Sequence, residues 1–306
     1  MMITRRGFLG VSAGGALVAS GYGMQSNLAE VVEVASPLPG LRRAVRVLFL
    51  ADLHMPRCFV TDRTLLDAVE TFRPHLLLIG GDSVDKPGNE SLVDRFGALD
   101  GEFGKFAVLG NREYLGGCDL PVLRGCYARA GVQLLVNETV ILSRPEYGTI
   151  RIVGLDDLMG GSPRPDLVAA IQSSPAKDYG ARPGTTRGSP AHAAVARADE
   201  LSLARNDVAT IVLAHCPALF DRLPATPLFC LSGHTHGGQI APLGLVLYLP
   251  MGSGRYVYGA YRGSGGRQLY VTRGLGNNGV PFRIGARPEI VQLTLMPAPP
   301  RPRRAG

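Results

Sequence analysis

The segment CLSGHTHGGQ, residues 230–239, places His234 and His236 one residue apart among glycines. Residues at alternate positions of an extended segment point to the same side, so both imidazoles can approach one point. Neutral imidazole is the commonest metal ligand in proteins, and glycines let the backbone turn closely beside a bound ion. An isolated pair of this kind is also compatible with a solvated polar turn, so partners elsewhere in the chain must decide.

Further side chains that bind metals stand at the ends of apolar runs. The runs FLADLH, IGGD, VLGN and VLAH end in Asp52 and His54, in Asp82, in Asn111 and in His215. Loops beyond the carboxyl ends of strands in an α/β sheet converge on one crevice, which would bring these residues to the two histidines. Together the oxygen and nitrogen ligands suffice for two divalent ions that share one carboxylate. Such ligands suit Mn, Fe, Zn or Ni, and ligand type alone does not choose among these metals.

Apolar runs bounded by turn residues recur along the chain and predict buried strands. The predicted strands lie in residues 45–51, 75–82, 105–111, 132–136, 150–157, 209–216, 228–234, 268–274 and 289–295. The segment TDRTLLDAVETF has helical apolar spacing and starts at Thr61 or Asp62, and DLVAAIQ fits a further short helix. Because strands outnumber helices, we expect an α/β fold, a layered sandwich built on two sheets.

The composition is that of an ordinary globular protein, with 306 residues, 45% hydrophobic and 19% charged. Part of the net charge of +7 lies at the two ends, so it does not indicate a nucleic-acid groove, and no nucleic-acid partner is expected. Residues 160–207 include a stretch rich in Pro, Gly, Ser and Ala, which predicts a long loop insertion. Residues 297–306 predict a disordered tail. The five scattered cysteines lack metal-type spacing and are predicted to be mostly buried thiols.

The N-terminal residues 1–29 resemble a twin-arginine export signal. Arg5 and Arg6 are followed by residues 7–29, which carry no charge and are only modestly hydrophobic because of their many glycines. The signal predicts a partner, the twin-arginine export machinery, and a location in the periplasm or cell envelope. An ordinary membrane anchor or a chance arginine pair is the alternative. No clean cleavage site stands out, so retention as a membrane tether stays open.

The ordered series D-x-H, G-D, G-N, H and G-H-x-H resembles the calcineurin-like metallophosphoesterases, and within them the bacterial branch exported by the twin-arginine route. The resemblance covers residues 41–295 and includes SGHTHGGQ and YVTRGLGNNGVPFRIGARPEI. It implies a metallophosphoesterase domain over residues 41–296, a sandwich of two mixed β-sheets flanked by helices. It also implies a ligand set: Asp52, His54 and His236 for one ion, Asn111, His215 and His234 for the other, and Asp82 as the bridge.

The activity implied by this resemblance is hydrolysis of a phosphomonoester or phosphodiester by a hydroxide that bridges two metal ions. Two such ions, about 3.5–4 Å apart, clamp the phosphate and lower the pKa of the bridging water toward ~7. The bridging ligand Asp82 therefore counts as catalytic. The sequence leaves open the natural substrate and the oligomeric state.

One position departs from the family pattern. The family motif G-N-H is GNR here, with Arg112 in place of the histidine usually assigned to leaving-group protonation. Arginine has a pKa above about 12 and does not supply that proton, but its positive fork can bind phosphate and stabilise developing charge. We predict that Arg112 is a catalytic and substrate-binding residue of an active, altered hydrolase. The alternative is a catalytically impaired protein of the same fold that binds metal or phosphate.

Further polar residues carry weaker assignments. Arg273, Asn277 and Arg283 lie in the glycine-rich C-terminal stretch and either contact the substrate phosphate or shape turns. Asp85 either orients a ligand histidine or caps a following helix. Cys216 would lie near the metals because it follows His215, without its thiol being shown to bind. No site role is assigned to His75, Asp156, Asp157 or His192.

Overall fold

The computed structural model describes residues 28–173 and 208–299, and their strands form two six-stranded sheets. The first sheet contains, in spatial order, β1 (Glu30–Leu38), β12 (Glu289–Pro297), β2 (Val45–Leu50), β3 (Leu76–Ile79), β4 (Gly104–Ala107) and β5 (Val132–Leu134). The second contains β10 (Gly259–Arg262), β11 (Arg267–Val271), β9 (Leu228–Ser232), β8 (Val208–Leu213), β7 (Gly148–Gly154) and β6 (Glu138–Arg144). The predicted α/β sandwich of two sheets is confirmed.

Both sheets are mixed, with a parallel centre and antiparallel additions. Strands β2 to β5 run parallel, and β12 pairs antiparallel with β2 and parallel with β1. In the second sheet β7, β8, β9 and β11 run parallel, whereas β6 and β10 are antiparallel to their neighbours. The carboxyl ends of the parallel strands within each sheet therefore share one edge, which is where the chain can assemble a site.

Short helices cover the outer faces of the sheets. The α-helices are α1 (Asp62–Phe72), α2 (Asn111–Leu115), α3 (Leu120–Arg129) and α4 (Asp166–Ser173), and the 3-10 segments are Glu90–Ala98, Pro217–Arg222, His236–Gly238, Pro242–Gly244 and Ser264–Gly266. Helix α1 begins where the sequence predicted, because the Thr61 hydroxyl accepts a hydrogen bond from the Thr64 amide at 3.2 Å. It ends at Arg73, which adopts a left-handed conformation before Pro74.

The hydrophobic core has layers on both sides of each sheet. Val45, Val47 and Phe49 of β2 face the second sheet, whereas Leu48 and Leu50 pack under the helices. This alternation follows from the two-residue side-chain period of a strand that is covered on both faces. A third apolar layer packs the outer face of the second sheet. The two sheets are thus held rigidly face to face, which fixes the loops at their carboxyl edges.

Three strands of the structure were not among the predicted strands. Strand β1 lies before residue 41 and pairs with β12, and β6 and β10 are also additional to the predicted strands. The short helix predicted at DLVAAIQ is present as α4. The predicted signal, most of the insertion and most of the tail fall in residues 1–27, 174–207 and 300–306, outside the described residues. Within the residues that the structure describes, none of the helices is both long and apolar enough to span a membrane.

Candidate metal centre

The loops at the carboxyl edges bring all the predicted metal ligands together. Asp52 and His54 follow β2, Asp82 follows β3, Asn111 opens α2 after β4, His215 follows β8, and His234 and His236 follow β9. All of these side chains are buried. Their ligand atoms form two groups, Asp52 with His54 and His236, and Asp82 with His215 and His234, and the atoms of each group lie within 4.8 Å of one another.

Asp82 and Asn111 occupy the positions expected from the sequence. Asp82 Oδ2 lies 3.6 Å from His54 Nε2 and 3.4 Å from His215 Nε2, so it stands between the two groups. Asn111 Oδ1 lies 2.9 Å from His234 Nδ1 and 3.2 Å from His215 Nε2, so it joins the second group. The Asp82 carboxylate therefore lies between the two groups, and the Asn111 amide lies beside the second group.

Three of the histidines are fixed by acceptors on the ring nitrogen that points away from the centre. His54 Nδ1 lies 2.6 Å from Asp85 Oδ1, His215 Nδ1 lies 2.8 Å from the Gly80 carbonyl, and His234 Nε2 lies 2.7 Å from the Met251 carbonyl. An acceptor holds the proton on the outer nitrogen, which leaves the lone pair of the inner nitrogen facing the site. Asp85 is therefore a support for His54, one of the two roles considered for it.

The donor set fits divalent cations. His215 Nε2, His234 Nδ1 and Asn111 Oδ1 approach one another within 3.2 Å, although the tautomers above leave lone pairs on both nitrogens. Two carboxylates, those of Asp52 and Asp82, converge on the same space. Lone pairs and negative charges packed this closely repel one another unless positive charge lies between them.

The electrostatics of the buried groups also draw positive charge to the centre. Burial by itself lowers the pKa of His215, but the nearby Asp82 and Asp52 carboxylates outweigh burial and raise that pKa well above its usual value. Burial raises the pKa of Asp52 to about 6, with Asp82 adding to the rise. Burial lowers the pKa of His234 to about 4, so this ring stays neutral and able to ligate. The two carboxylates therefore favour positive charge at this point of the centre.

His236 is held differently from the other histidines. Its Nδ1 lies 3.0 Å from Nη2 of Arg283, a fully buried side chain. The Arg283 guanidinium also donates to the carbonyls of Gly276 (3.0 Å), Arg273 (2.7 Å) and Ala286 (3.1 Å). Two roles were considered for Arg283, substrate contact and the shaping of a turn, and these contacts are those of a support of His236 and of the C-terminal loop.

Five of the ligand residues adopt an unusual backbone conformation. The φ angles are 54° for Asp52, 49° for His54, 51° for Asp82, 75° for His234 and 52° for His236. This left-handed region costs of order 1–3 kcal/mol for a residue with a side chain, and it clusters at functional sites. Here it turns each loop sharply enough to aim its side chain into the centre.

Glycines beside the ligands leave no room for a side chain. A Cβ at Gly233 would lie 2.4 Å from Asp52 Oδ2, and a Cβ at Gly110 would lie 2.2 Å from Asp82 Oδ1. The close approach of backbone to ligand therefore depends on glycine at these two positions, in line with the prediction for the glycines near the ions.

Glu113 is a functional residue for which the sequence reasoning assigned no role. Its buried carboxylate accepts hydrogen bonds from the amides of Ser83 (2.6 Å), Gly110 (2.9 Å) and Asp82 (3.1 Å). One side chain thus connects the loop that carries Asp82 to the loop that carries Asn111. The available signal was its place two residues after Asn111 in GNREY.

The remaining predicted residues are placed as follows. Arg273 pairs with Glu289 at 2.6 Å and with Glu30 at 2.9 Å, so its charge is engaged away from the predicted substrate contact. Cys216 donates to Asp157 at 3.2 Å, and burial together with that carboxylate raises the pKa of the thiol. The thiol therefore stays protonated, which does not favour metal ligation.

Comparisons with known proteins agree with this geometry. The family model described as calcineurin-like phosphoesterase matches residues 45–238. The uncharacterized metallophosphoesterase YkuE of Bacillus subtilis is 29% identical to this chain over 307 aligned residues, which cover 95% of each protein. Phosphodiesterase YaeI of Escherichia coli is 30% identical over 316 residues, which cover 96% of this chain and all of YaeI. A metallophosphoesterase of Helicobacter pylori is 30% identical, and the match spans 64% of its length. The chain therefore belongs to the calcineurin-like phosphoesterase family.

Proposed function

We propose that this protein hydrolyses a phosphomonoester or phosphodiester at a centre of two divalent metal ions. The observation that carries the proposal is the set of three histidines whose inner lone pairs converge on two buried carboxylates. Asp52, His54 and His236 would hold one ion, Asn111, His215 and His234 the other, and Asp82 would bridge them. When bound, such ions would supply Lewis acidity and would lower the pKa of a water toward neutrality, which is the chemistry needed to displace an alcohol from phosphorus.

Residues around the ligands fix the geometry of this centre. Asp85, the Gly80 carbonyl and the Met251 carbonyl keep the outer protons of three histidines in place. The Glu113 carboxylate binds the amides of both adjoining loops. Positioning of ligands by such supporting groups commonly changes metal affinity or activity by about 10- to 100-fold.

Arg112 is the proposed phosphate contact. Its amide donates to Asp82 Oδ1 at 2.7 Å, and its partly exposed guanidinium lies 3.4 Å from Asp85 Oδ1. The positive charge of the side chain therefore lies beside Asp85, the carboxylate that supports His54, and is open to solvent. A guanidinium there stabilises charge on the phosphoryl oxygens but does not protonate the leaving group, so substrates with acidic leaving groups are favoured.

Asn277 is the second proposed substrate contact. The side chain is fully buried, and neither its amide nitrogen nor its oxygen has a hydrogen-bond partner in the described part of the chain. The neighbouring Gly276 amide donates to the Asp52 carbonyl at 2.6 Å, which places this loop against the metal ligands. A buried polar group without partners costs about 1–3 kcal/mol, and a substrate oxygen or a bound water at the centre would satisfy it.

The test is turnover by the full chain, stripped of metal and reloaded with Mn²⁺, on 4-nitrophenyl phosphate and bis(4-nitrophenyl) phosphate. We expect hydrolysis of at least one ester, and we expect Asp82→Ala to fall to the rate without enzyme. Asp94→Ala is the matched control, because Asp94 is an exposed partner of Arg129. Uptake of Mn²⁺ with turnover equal to that of Asp82→Ala would instead assign the chain to the impaired, metal-binding class.

We further propose that the chain is exported through the twin-arginine pathway to the periplasm or cell envelope. The support is the Arg5–Arg6 pair before the uncharged residues 7–29. Cell fractionation of wild type and of an Arg5→Lys, Arg6→Lys double variant tests it. Equal export of both proteins would contradict the proposal.

A further inference from the structure

The loop that follows the His-x-His motif exposes a dense set of large apolar side chains. The loop carries Leu243, Leu245, Leu247, Tyr248 and Met251, here called the apolar loop. Each of these residues is at least 62% exposed. Soluble proteins rarely leave contiguous apolar surface in water unless it is a site of interaction. A polar loop would serve solubility better, so these residues call for an explanation by a partner.

The apolar loop is attached directly to the metal centre. The Met251 carbonyl is the acceptor for His234 Nε2, and a Cβ at Gly252 would come within 3.2 Å of the same nitrogen. At its other end the loop is fixed by the Ala241 amide, which donates to the Ile284 carbonyl at 2.7 Å. The exposed side chains are therefore carried on an anchored segment that begins and ends beside the catalytic ligands.

Other loops at the same edge add to this apolar surface. Phe59 follows the His54 loop, Leu115 ends the helix that Asn111 opens, and Val280 follows the Asn277 loop, and all three are exposed. Each lies beyond the carboxyl end of a strand or in a loop that contacts the metal ligands, so all three belong to the edge of the sheets that carries the centre. At the opposite edge, the exposed apolar residue of β12 is Met296.

Positive charge lies beside the carboxylate that supports His54. Arg57 Nε donates to Asp85 Oδ2 at 3.2 Å, and Arg112 contacts the other oxygen of the same carboxylate. Both guanidinium groups are partly exposed. Two cationic side chains at the same edge as exposed apolar side chains match a ligand with an anionic head and apolar chains.

We propose that the substrate is an amphiphilic phosphoester of the phospholipid class, whose hydrocarbon chains contact the apolar loop while the phosphoester enters the metal centre. This inference rests on the proposed hydrolase function for its catalytic part, whereas the lipid contact itself requires no turnover. The competing occupant of the apolar loop is a second copy of this chain.

Lipid contact is measured first, by fluorescence that does not depend on activity. The chain contains no tryptophan, so Leu245→Trp introduces a single reporter into the apolar loop and Met296→Trp a matched reporter at the opposite edge. Both full-length variants are mixed with vesicles of phosphatidylglycerol and phosphatidylcholine. We expect a blue shift of emission, and quenching by brominated acyl chains, for Leu245→Trp only. Unchanged emission of Leu245→Trp overturns the proposal, as does a shift that appears without lipid when protein concentration is raised.

Substrate preference is measured second, with ethyl and octyl 4-nitrophenyl phosphate below the micelle concentration of the octyl ester. Water cleaves the same aryl ester bond in both and releases the same 4-nitrophenolate, so only the alkyl chain differs. Each fully buried methylene contributes up to about fourfold, so partial contact of the six added methylenes predicts a rise in kcat/KM of at least about tenfold from ethyl to octyl. A Leu245→Ser, Leu247→Ser double variant should bring this ratio close to one, and Met296→Ser should retain it.

The two measurements separate failure of this inference from failure of the proposed function. Hydrolysis of the ethyl ester with equal kcat/KM for the octyl ester leaves the hydrolase in place and overturns the lipid preference. A lipid-dependent shift of Leu245→Trp without hydrolysis of either ester supports the lipid contact and counts against the hydrolase.

Discussion

The Glu113 carboxylate provides the sharpest test of how the centre is built. Glu113→Ala removes the acceptor of the buried backbone amides of Asp82, Ser83 and Gly110, and of a longer hydrogen bond from the Val84 amide at 3.4 Å; the three shorter bonds carry the estimate. An unsatisfied buried amide costs about 1–3 kcal/mol. We therefore expect the free energy of unfolding to fall by about 3–6 kcal/mol, the lower part of the summed range, because the space left by the side chain can admit water. Glu113→Gln keeps one acceptor oxygen and should lose roughly half as much.

The assay is urea unfolding of the metal-free proteins, followed by far-ultraviolet circular dichroism because the chain has no tryptophan. A shift of the midpoint at constant m-value reports the change in stability. Glu146→Ala is the control, since Glu146 pairs with Arg43 at the surface and should change stability by less than about 0.5 kcal/mol. A Glu113→Ala protein that unfolds within about 1 kcal/mol of wild type, with the same m-value, would refute the reasoning.

Three further predictions concern ligand support, chemistry and pH. Asp85→Asn removes the carboxylate that fixes the His54 tautomer and should weaken Mn²⁺ binding by about 10- to 100-fold in calorimetric titrations; unchanged affinity would contradict the support role. Arg112→His should restore a proton donor and raise turnover of alkyl esters, whose leaving groups are basic, more than that of nitrophenyl esters; equal effects on both would count against this account. Burial lowers the pKa of His75 from 6.5, so the unfolded chain binds a proton near pH 6 that the folded chain does not, and stability falls as pH falls. His75→Gln should therefore lose less stability than wild type between pH 7.5 and 5.5 in urea titrations, and identical losses would argue against it.

The strands that the sequence predicted are those whose position in a sheet leaves a clear pattern. Strand β8, VATIVL, is buried at every residue, and such an apolar run is recognisable without its neighbours. The strands that were not predicted, β1, β6 and β10, are all edge strands with many exposed or half-buried residues. Their identity depends on the pairing partner, which local sequence does not contain.

The same distinction separates the ligands from their supports. Metal-ligand candidates were visible because each is a polar residue that can bind metal at the end of an apolar run, as His215 is after VLA. The role of Glu113 depends on amides about thirty residues away, and the engagement of Arg283 depends on carbonyls of a folded loop. Neither set of contacts has a sequence signature: Arg283 binds backbone carbonyls, and Arg273 pairs with Glu289 and Glu30.

The position of β12 between β1 and β2 determines when this protein can fold during its synthesis. Residues 289–297 leave the ribosome after every other strand, yet β12 is the element that joins β1 to the rest of its sheet. Until then a nascent chain presents the open side of β2, a row of unpaired amides and carbonyls prone to association with other chains. The sheet therefore closes only after residues 289–297 have been made, and a chain that ends before residue 289 would leave the open side of β2 unpaired.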